Sequence, residues 1–137
     1  MQRVDHIDVP GARQPGEFAF SEHAKADRRR LLWFWAPWCE VCNREAPAIE
    51  RMAATTRGEL DVIAIGGRAE TPDDLGFVKR HRLRTPIVLF DEPMAAWAEY
   101  RIPGQSAGVL LDRSGREGGR WIGAFDTAEV LAAARAL

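Results

Sequence analysis

The feature that most constrains the fold is an abrupt change of periodicity in the first half of the chain. The run LLWFWA at 31–36 is continuously apolar and has the length of a strand, which is typical of a strand buried on both faces of a parallel sheet. From Asn43 to Thr56 the apolar residues recur at helical spacing, and Gly58 follows as a stop signal. A buried strand that leads directly into an amphipathic helix predicts the first unit of an α/β sheet.

Strand and helix patterns continue to alternate along the chain. Besides 31–36, the predicted strands are a short one near EFAF (17–20), then 60–67, 85–90, a strand that leads into a turn over 107–115, and 119–125. The predicted further helices are 71–83 with Thr71 as N-cap, 92–100, and 126–137 with Asp126 as N-cap. This order predicts a central mixed sheet flanked by helices, parallel in its first part and ending in an antiparallel hairpin at Ser114 and Gly115.

Length and charge fit an ordinary single domain. The chain has 137 residues, 46% hydrophobic residues and a formal net charge of -1, so no global field attracts nucleic acid or anionic lipid. We expect an irregular lead-in over 1–16, one domain over 17–137, and a monomer. No stretch reaches the ~18 apolar residues of a membrane helix, and the N-terminus lacks the apolar core of a signal peptide. The chain as given is therefore expected to be cytoplasmic and away from membranes, or extracytoplasmic if a leader was removed.

Both cysteines of the chain, Cys39 and Cys42, fall in the loop between the first buried strand and its helix. Chemistry collects at the carboxyl ends of strands in such sheets. The helix N-terminus offers N–H groups and a partial positive charge to a thiolate at Cys39. Thiol–disulfide exchange needs an exposed attacking thiolate and a second thiol that resolves the mixed disulfide. The spacing therefore predicts a redox pair.

Two other roles for the pair stay open. A C-x-x-C pair is half of a zinc site, although the chain has no second cysteine pair and its 3 histidines lack ligand spacing. Two inert buried cysteines behind Pro37 and Trp38 are the other alternative. We expect neither a metal nor a cofactor.

The segment FWAPWCEVCNREAPAIERMA resembles the active-site segment of the thioredoxin fold, in particular that of the TlpA, ResA and DsbE-like thiol–disulfide oxidoreductases. The match comprises the aromatic strand, Trp38 before the first cysteine, the W-C-x-x-C motif, and Pro47 where family members kink this helix. Downstream, FDEPMAAWAEYRIPGQSAGVLLDRSG resembles the family's cis-proline segment, and YRIPGQ is similar to actinobacterial DsbE-like proteins. The resemblance covers roughly 17–137.

This resemblance implies a role for each residue of the motif. Cys39 would be the attacking thiol, Cys42 the resolving thiol, and Trp38 an apolar shelf beside them. Glu45 matches an acidic residue that relays a proton near Cys42, and a glutamate favoured by the helix dipole is the alternative reading.

The two residues between the cysteines are expected to tune the redox poise. A carboxylate at Glu40 should oppose ionisation of Cys39 by like-charge repulsion. Val41 stands where reducing members of the family commonly have proline.

Two positions depart from the family pattern. Trp33 replaces the buried acid of thioredoxin, and Ser106 stands where the cis-proline normally faces the cysteines. The Gln105–Ser106 peptide is then either cis or a trans bond that reshapes the substrate groove, and Pro103 lies too early to substitute. Gln105 would inherit backbone pairing with an extended substrate chain. Ser106 either alters that groove or is a neutral replacement in a loop.

The hypothesis that accounts for most of these residues is that the protein is a thiol–disulfide oxidoreductase. It would act on protein thiols and disulfides and depend on an unidentified redox partner for recycling. A redox protein dedicated to one partner or one small molecule is an alternative. A noncatalytic module whose cysteines hold a metal or an iron–sulfur cluster, shared between two chains, is another.

Overall fold

The computed structural model describes residues 2–3, 28–91 and 94–137. Its centre is a six-stranded mixed sheet with the spatial order β1-β4-β3-β2-β5-β6. The strands are β1 (Gln2–Arg3), β2 (Arg29–Trp35), β3 (Leu60–Gly66), β4 (Ile87–Phe90), β5 (Ala107–Leu111) and β6 (Glu117–Ile122). The helices are α1 (Glu40–Thr55), α2 (Thr71–His81), α3 (Ala95–Glu99) and α4 (Thr127–Arg135).

The pairing of the strands confirms the predicted mixed sheet. β2, β3 and β4 are parallel neighbours, β5 pairs antiparallel with β2, and β6 pairs antiparallel with β5. The parallel strands end on the same edge of the sheet, and α1 begins directly after β2 at that edge. The cysteines therefore lie at the carboxyl edge of the sheet.

The apolar run of β2 is buried on both faces, as its composition predicts. Trp33 and Trp35 point into the core cluster that includes both cysteines, and Leu32 and Phe34 point into the cluster on the other face. All four side chains are fully buried. Such alternation follows from the two-residue period of a strand.

Several element boundaries differ from those predicted. The N-cap of α2 is Glu70 rather than Thr71, so Pro72 occupies the second helical position instead of the first. Proline is tolerated there as well, because the N–H groups of the first turn have no intrahelical acceptor. α1 begins earlier than predicted, at Glu40, because Cys39 itself serves as the N-cap. Asp126 is confirmed as N-cap, since its carboxylate accepts the Ala128 N–H at 2.9 Å.

The N-terminal part of the chain adds one unexpected strand. β1 pairs antiparallel with β4, within the stretch expected to be an irregular lead-in. The predicted strand near 17–20 lies outside the described residues, and the domain boundary at residue 17 stays a prediction. No helix in the described part of the chain is long and apolar enough to cross a membrane.

Candidate active site

Cys39 lies at the junction where the chain leaves β2 and enters α1. Its N–H donates to the carbonyl of Ala36 at 3.1 Å, which closes a turn through Pro37 and Trp38. Its φ of -78° and ψ of 115° are those of an N-cap, and its Sγ accepts the N–H of Cys42 at 3.2 Å. An otherwise orphaned helix donor is thus directed at the first thiol.

The two thiols are free but differ in their environment. Cys42 has no exposed surface, and burial raises the pKa of its thiol, with the neighbouring Cys39 and the charge of Glu45 acting in the same direction. Cys39 is 6% exposed, which is much less than the open thiolate that the sequence led us to expect. The chain therefore presents one thiol at a narrow opening and keeps the second protonated behind it.

Trp38 forms an exposed apolar surface beside Cys39. It is 60% exposed, and its indole N–H donates to the carbonyl of Arg68 at 2.8 Å. The Arg68 guanidinium donates to the carbonyl of Pro103 at 3.1 Å and lies over the Trp97 ring, 5.6 Å from its centroid. Arg68 therefore links the tryptophan to the loop that precedes β5, a role that no sequence pattern signalled.

The Gln105–Ser106 peptide bond is cis, which resolves the alternative left open by the sequence. Ser106 is buried, its Oγ accepts the indole N–H of Trp33 at 3.0 Å, and its carbonyl accepts the N–H of Gly123 at 2.8 Å. Gln105 Oε1 is buried without a partner among the described residues. Trp33 and Ser106, the two positions where the sequence analysis expected a departure from the family pattern, are thus hydrogen-bonded to each other.

Glu45 faces the interior one turn after the cysteines. Its Oε2 accepts the N–H of Phe125 at 3.0 Å, and its Oε1 is buried without a hydrogen-bond partner in the part of the chain that the structure covers. Glu45 follows Cys42 by three residues on α1, about one helical turn, so the two residues share a face of the helix. A proton relay by Glu45 stays a prediction.

The two residues between the cysteines lie in different surroundings. The Glu40 side chain is 87% exposed and pairs with Arg44 at 3.4 Å, so solvent and a counter-charge screen its effect on Cys39. Val41 is half-buried against the core cluster. Their tuning roles stay predictions.

Two polar residues near the site escaped the sequence analysis. The Asn43 side chain donates to the carbonyls of Pro37 and Cys39 at 3.1 and 2.9 Å. Asp74, in the first turn of α2, is fully buried, and both its carboxylate oxygens lack a partner within the described ranges. Burial raises the pKa of Asp74 to about 8, with the charge of Asp73 acting in the same direction. A single polar residue within a predicted helix does not indicate such contacts in the sequence.

The described side chains form no ready metal site. Within 2–3, 28–91 and 94–137, no group of three or more His, Cys, Asp or Glu side chains could hold a metal ion. The free cysteine pair is the chemical feature that this edge of the sheet presents.

Comparison with known proteins connects this geometry to a family. The Thioredoxin family model matches residues 14–72. A secreted disulfide oxidoreductase of Mycobacterium tuberculosis, homologous to DsbE of E. coli, superposes with a TM-score of 0.76 at 28% identity over 90% of each chain. The chain is a thioredoxin-fold protein related to DsbE-like disulfide oxidoreductases.

Other relatives of this thioredoxin-fold protein agree with that assignment. MTB dsbF, whose structure contains mixed oxidized and reduced forms, has a TM-score of 0.76 and 27% identity over 83% of this chain and 84% of its own. The soluble secreted antigen MPT53 of Mycobacterium tuberculosis is 35% identical over 85 residues, which is 62% of this chain and 48% of MPT53. The chain thus spans about half the length of that curated relative. The fold and the family resemblance predicted from the sequence are confirmed.

Proposed function

We propose that the protein is a thiol–disulfide oxidoreductase that cycles Cys39 and Cys42 between dithiol and disulfide. The observation that carries this proposal is the asymmetry of the pair. The Cys39 Sγ accepts a helix N–H at 3.2 Å at a narrow opening, whereas Cys42 is buried. An attacking thiol and a resolving thiol need these two environments.

The exchange follows from this placement. The Cys39 thiolate attacks one sulfur of a substrate disulfide, forms a mixed disulfide and releases the other sulfur as a thiolate. Cys42 then loses its proton and attacks the Cys39 sulfur, which releases the second substrate thiol and leaves a Cys39–Cys42 disulfide. The reverse sequence oxidises a substrate dithiol and returns both cysteines to thiols.

Resolution requires a proton acceptor because Cys42 is buried and its pKa is raised. We assign that role to Glu45, whose Oε1 is buried without a partner among the residues described. The neighbouring Glu40 and Val41 would tune the redox poise of the pair.

Substrate binding falls to the residues around the opening. Trp38 offers an exposed aromatic face. Arg68 connects it to the loop that carries Gln105 and Ser106, because its carbonyl accepts from Trp38 and its guanidinium donates to the carbonyl of Pro103. An extended substrate segment would pair with the Gln105 backbone, with Ser106 forming the floor. Backbone pairing with an extended segment suits a protein substrate.

The cellular setting completes the proposal. The substrates would be protein thiols and disulfides, a separate redox partner would recycle the pair, and the protein would act as a monomer without nucleic-acid or membrane partners. The relative in Mycobacterium tuberculosis is a secreted protein, which supports a site of action outside the cytoplasm. Fractionation of the native cells tests that placement.

The deciding experiment is equilibration of the Cys39–Cys42 couple against glutathione, followed by thiol alkylation. A potential near that of thioredoxin, about −270 mV, would make the protein a reductant, and one near −120 mV would make it a disulfide donor. Absence of a reversible two-electron couple contradicts the proposal. Colour and metal content of the purified protein then test the metal or cluster module.

A dedicated redox protein is distinguished from a general one by turnover. A general enzyme reduces or oxidises a generic protein disulfide, whereas a dedicated one leaves it unchanged and reacts only with its own partner or small molecule.

A further inference from the structure

The side-chain amide of Asn43 joins the cysteine loop to α2. Its Nδ2 lies 2.9 Å from the Cys39 carbonyl and 3.1 Å from the Pro37 carbonyl, while its Oδ1 lies 2.8 Å from a guanidinium nitrogen of Arg80 and 2.7 Å from Nε2 of His81. A guanidinium only donates and a carbonyl only accepts, so this is the amide orientation that satisfies both sides. It follows that His81 carries a proton on Nε2.

The two donors of Asn43 act on the backbone that carries the attacking thiol. The Cys39 carbonyl also accepts the backbone N–H of Asn43 at 3.0 Å, and the Cys39 N–H donates to Ala36 at 3.1 Å. The peptide groups on both sides of Cys39 are therefore held. Because this backbone is held, the Cys39 Sγ stays in position to accept the backbone N–H of Cys42, at an N–Sγ distance of 3.2 Å.

The acceptor side of Asn43 rests on a packed column of rings. The His81 ring contacts the edge of Phe77, with centroids 4.6 Å apart, and Phe77 stacks on Trp35 at 4.3 Å and 13°. Trp35 is the last residue of β2, so the column returns to the strand from which the loop departs. Through His81, Asn43 is therefore connected to the core, in addition to its contact with the exposed Arg80.

We propose that Asn43 is a positioning residue for the redox pair. By holding the carbonyls of Pro37 and Cys39, it keeps the Cys39 sulfur against the N–H of Cys42 and so favours the thiolate. The inference rests on the proposed function. A stabilised thiolate favours the reduced form, so loss of Asn43 makes the couple more reducing and slows attack at neutral pH.

Two variants separate positioning from a simple tie between helices. In Asn43→Ala both donors are lost. In Asn43→Asp the shape and the contacts to Arg80 and His81 are kept, but the carboxylate cannot donate to the two carbonyls and adds a negative charge. A residue that only ties α1 to α2 would tolerate aspartate.

The measurements are the equilibrium constant against glutathione and the alkylation rate as a function of pH. We expect both variants to shift the equilibrium towards the disulfide by three- to tenfold, which corresponds to roughly 14–30 mV. The pH of half-maximal alkylation should rise in both variants, and more in Asn43→Asp.

Glu50→Gln provides the matched control. Glu50 lies on the same helix about two turns further on, and its carboxylate accepts the N–H of Thr85 at 2.9 Å, so it also ties α1 to the segment after α2. This variant should be less stable but keep the wild-type equilibrium and pH profile. Wild-type behaviour of Asn43→Asp, or equal shifts in Asn43→Ala and Glu50→Gln, overturns the inference. A wild-type protein without a reversible couple refutes the proposed function itself, and the inference with it.

Discussion

The two edges of the central sheet differ in how their polar groups are satisfied. At the amino edge, where the parallel strands begin, Arg28 pairs with Asp61 at 2.6 Å and Arg135 pairs with Glu59 at 2.7 Å. Near the carboxyl edge, several buried polar atoms have no partner among the described residues: Trp35 Nε1, Glu45 Oε1, both Asp74 oxygens, Trp97 Nε1 and Gln105 Oε1.

The amino edge is not free of such atoms. The buried Nε of Arg29 also has no hydrogen-bond partner among the described residues, although another nitrogen of the same guanidinium donates to the carbonyl of Leu137 at 2.9 Å. No carboxylate at that edge resembles Asp74, which is fully buried with both oxygens unpaired, within the part of the chain described. Buried polar atoms without partners cost stability, and they tend to be retained where function requires them. The difference indicates that the amino edge stabilises the fold, whereas the carboxyl edge keeps groups available for chemistry.

The largest effect should come from Cys39→Ser at the carboxyl edge. We expect exchange activity to fall by at least about a thousandfold because the nucleophile is lost, while serine preserves the N-cap of α1 and therefore the stability. An insulin-type disulfide reduction assay and urea unfolding provide the two readouts. A variant that unfolds as it loses activity would show that the two edges are not separable in this way.

Asp74→Asn should stabilise the protein, by about 1–3 kcal/mol at pH 8. The pKa of Asp74 is raised from 3.8 to about 8, so between these values the unfolded chain releases a proton that the folded chain retains. Wild-type stability therefore falls as pH rises through this window, and asparagine removes that loss. The gain should shrink towards zero near pH 4, as followed by thermal unfolding across pH.

The neighbouring exposed Asp73 provides the control for this prediction. Asp73→Asn should give a much smaller gain at pH 8, because the Asp73 side chain is in solvent and its charge only adds to the larger effect of burial on the pKa of Asp74. Equal gains in the two variants would mean that a general reduction of negative charge, and not burial, explains the result.

Glu50→Gln should lower the free energy of unfolding by about 1–2 kcal/mol. The Glu50 carboxylate accepts hydrogen bonds from the N–H groups of Arg84 and Thr85 and from the Thr85 hydroxyl, and glutamine weakens this set. Urea unfolding measures the loss. A free energy of unfolding unchanged from wild type would show that the Glu50 hydrogen bonds contribute as little as an exposed ion pair.

Arg28→Ala at the amino edge should have the smallest effect, about 0–1 kcal/mol, because its pair with Asp61 is partly exposed to solvent. The loss should diminish further at high salt as the charges are screened. Unfolding at low and high ionic strength tests this. A larger, salt-independent loss would show that Arg28 contributes through packing.

The fold was predictable where local signals agree. The continuous apolar run of β2, the helical spacing that follows and the cysteines between them all fall within one short segment, so no long-range contact was needed to place them. The cis peptide at Gln105–Ser106 was predicted only as one of two options. The local sequence does not decide between cis and trans, because the segment leads into β5, which pairs with the distant strand β2.

The supports of the site were not predictable. Asn43 and His81 are separated by 38 residues, and Trp38 and Arg68 by 30 residues, so neither pair leaves a trace in local periodicity. The same limit applies to Asp74, whose burial depends on the helix being turned towards the core. Such contacts arise only when the elements pack together.

The narrow opening over Cys39 also has a consequence for oxidative damage. Cys39 is 6% exposed and Cys42 has no exposed surface, so Cys39 is the thiol of the pair that a small oxidant such as peroxide reaches first. If peroxide does convert Cys39 to a sulfenic acid, Cys42 condenses with it, releases water and forms the same disulfide that exchange produces. The protein thereby returns from accidental oxidation to a state of its normal cycle, before the irreversible sulfinic and sulfonic acids form.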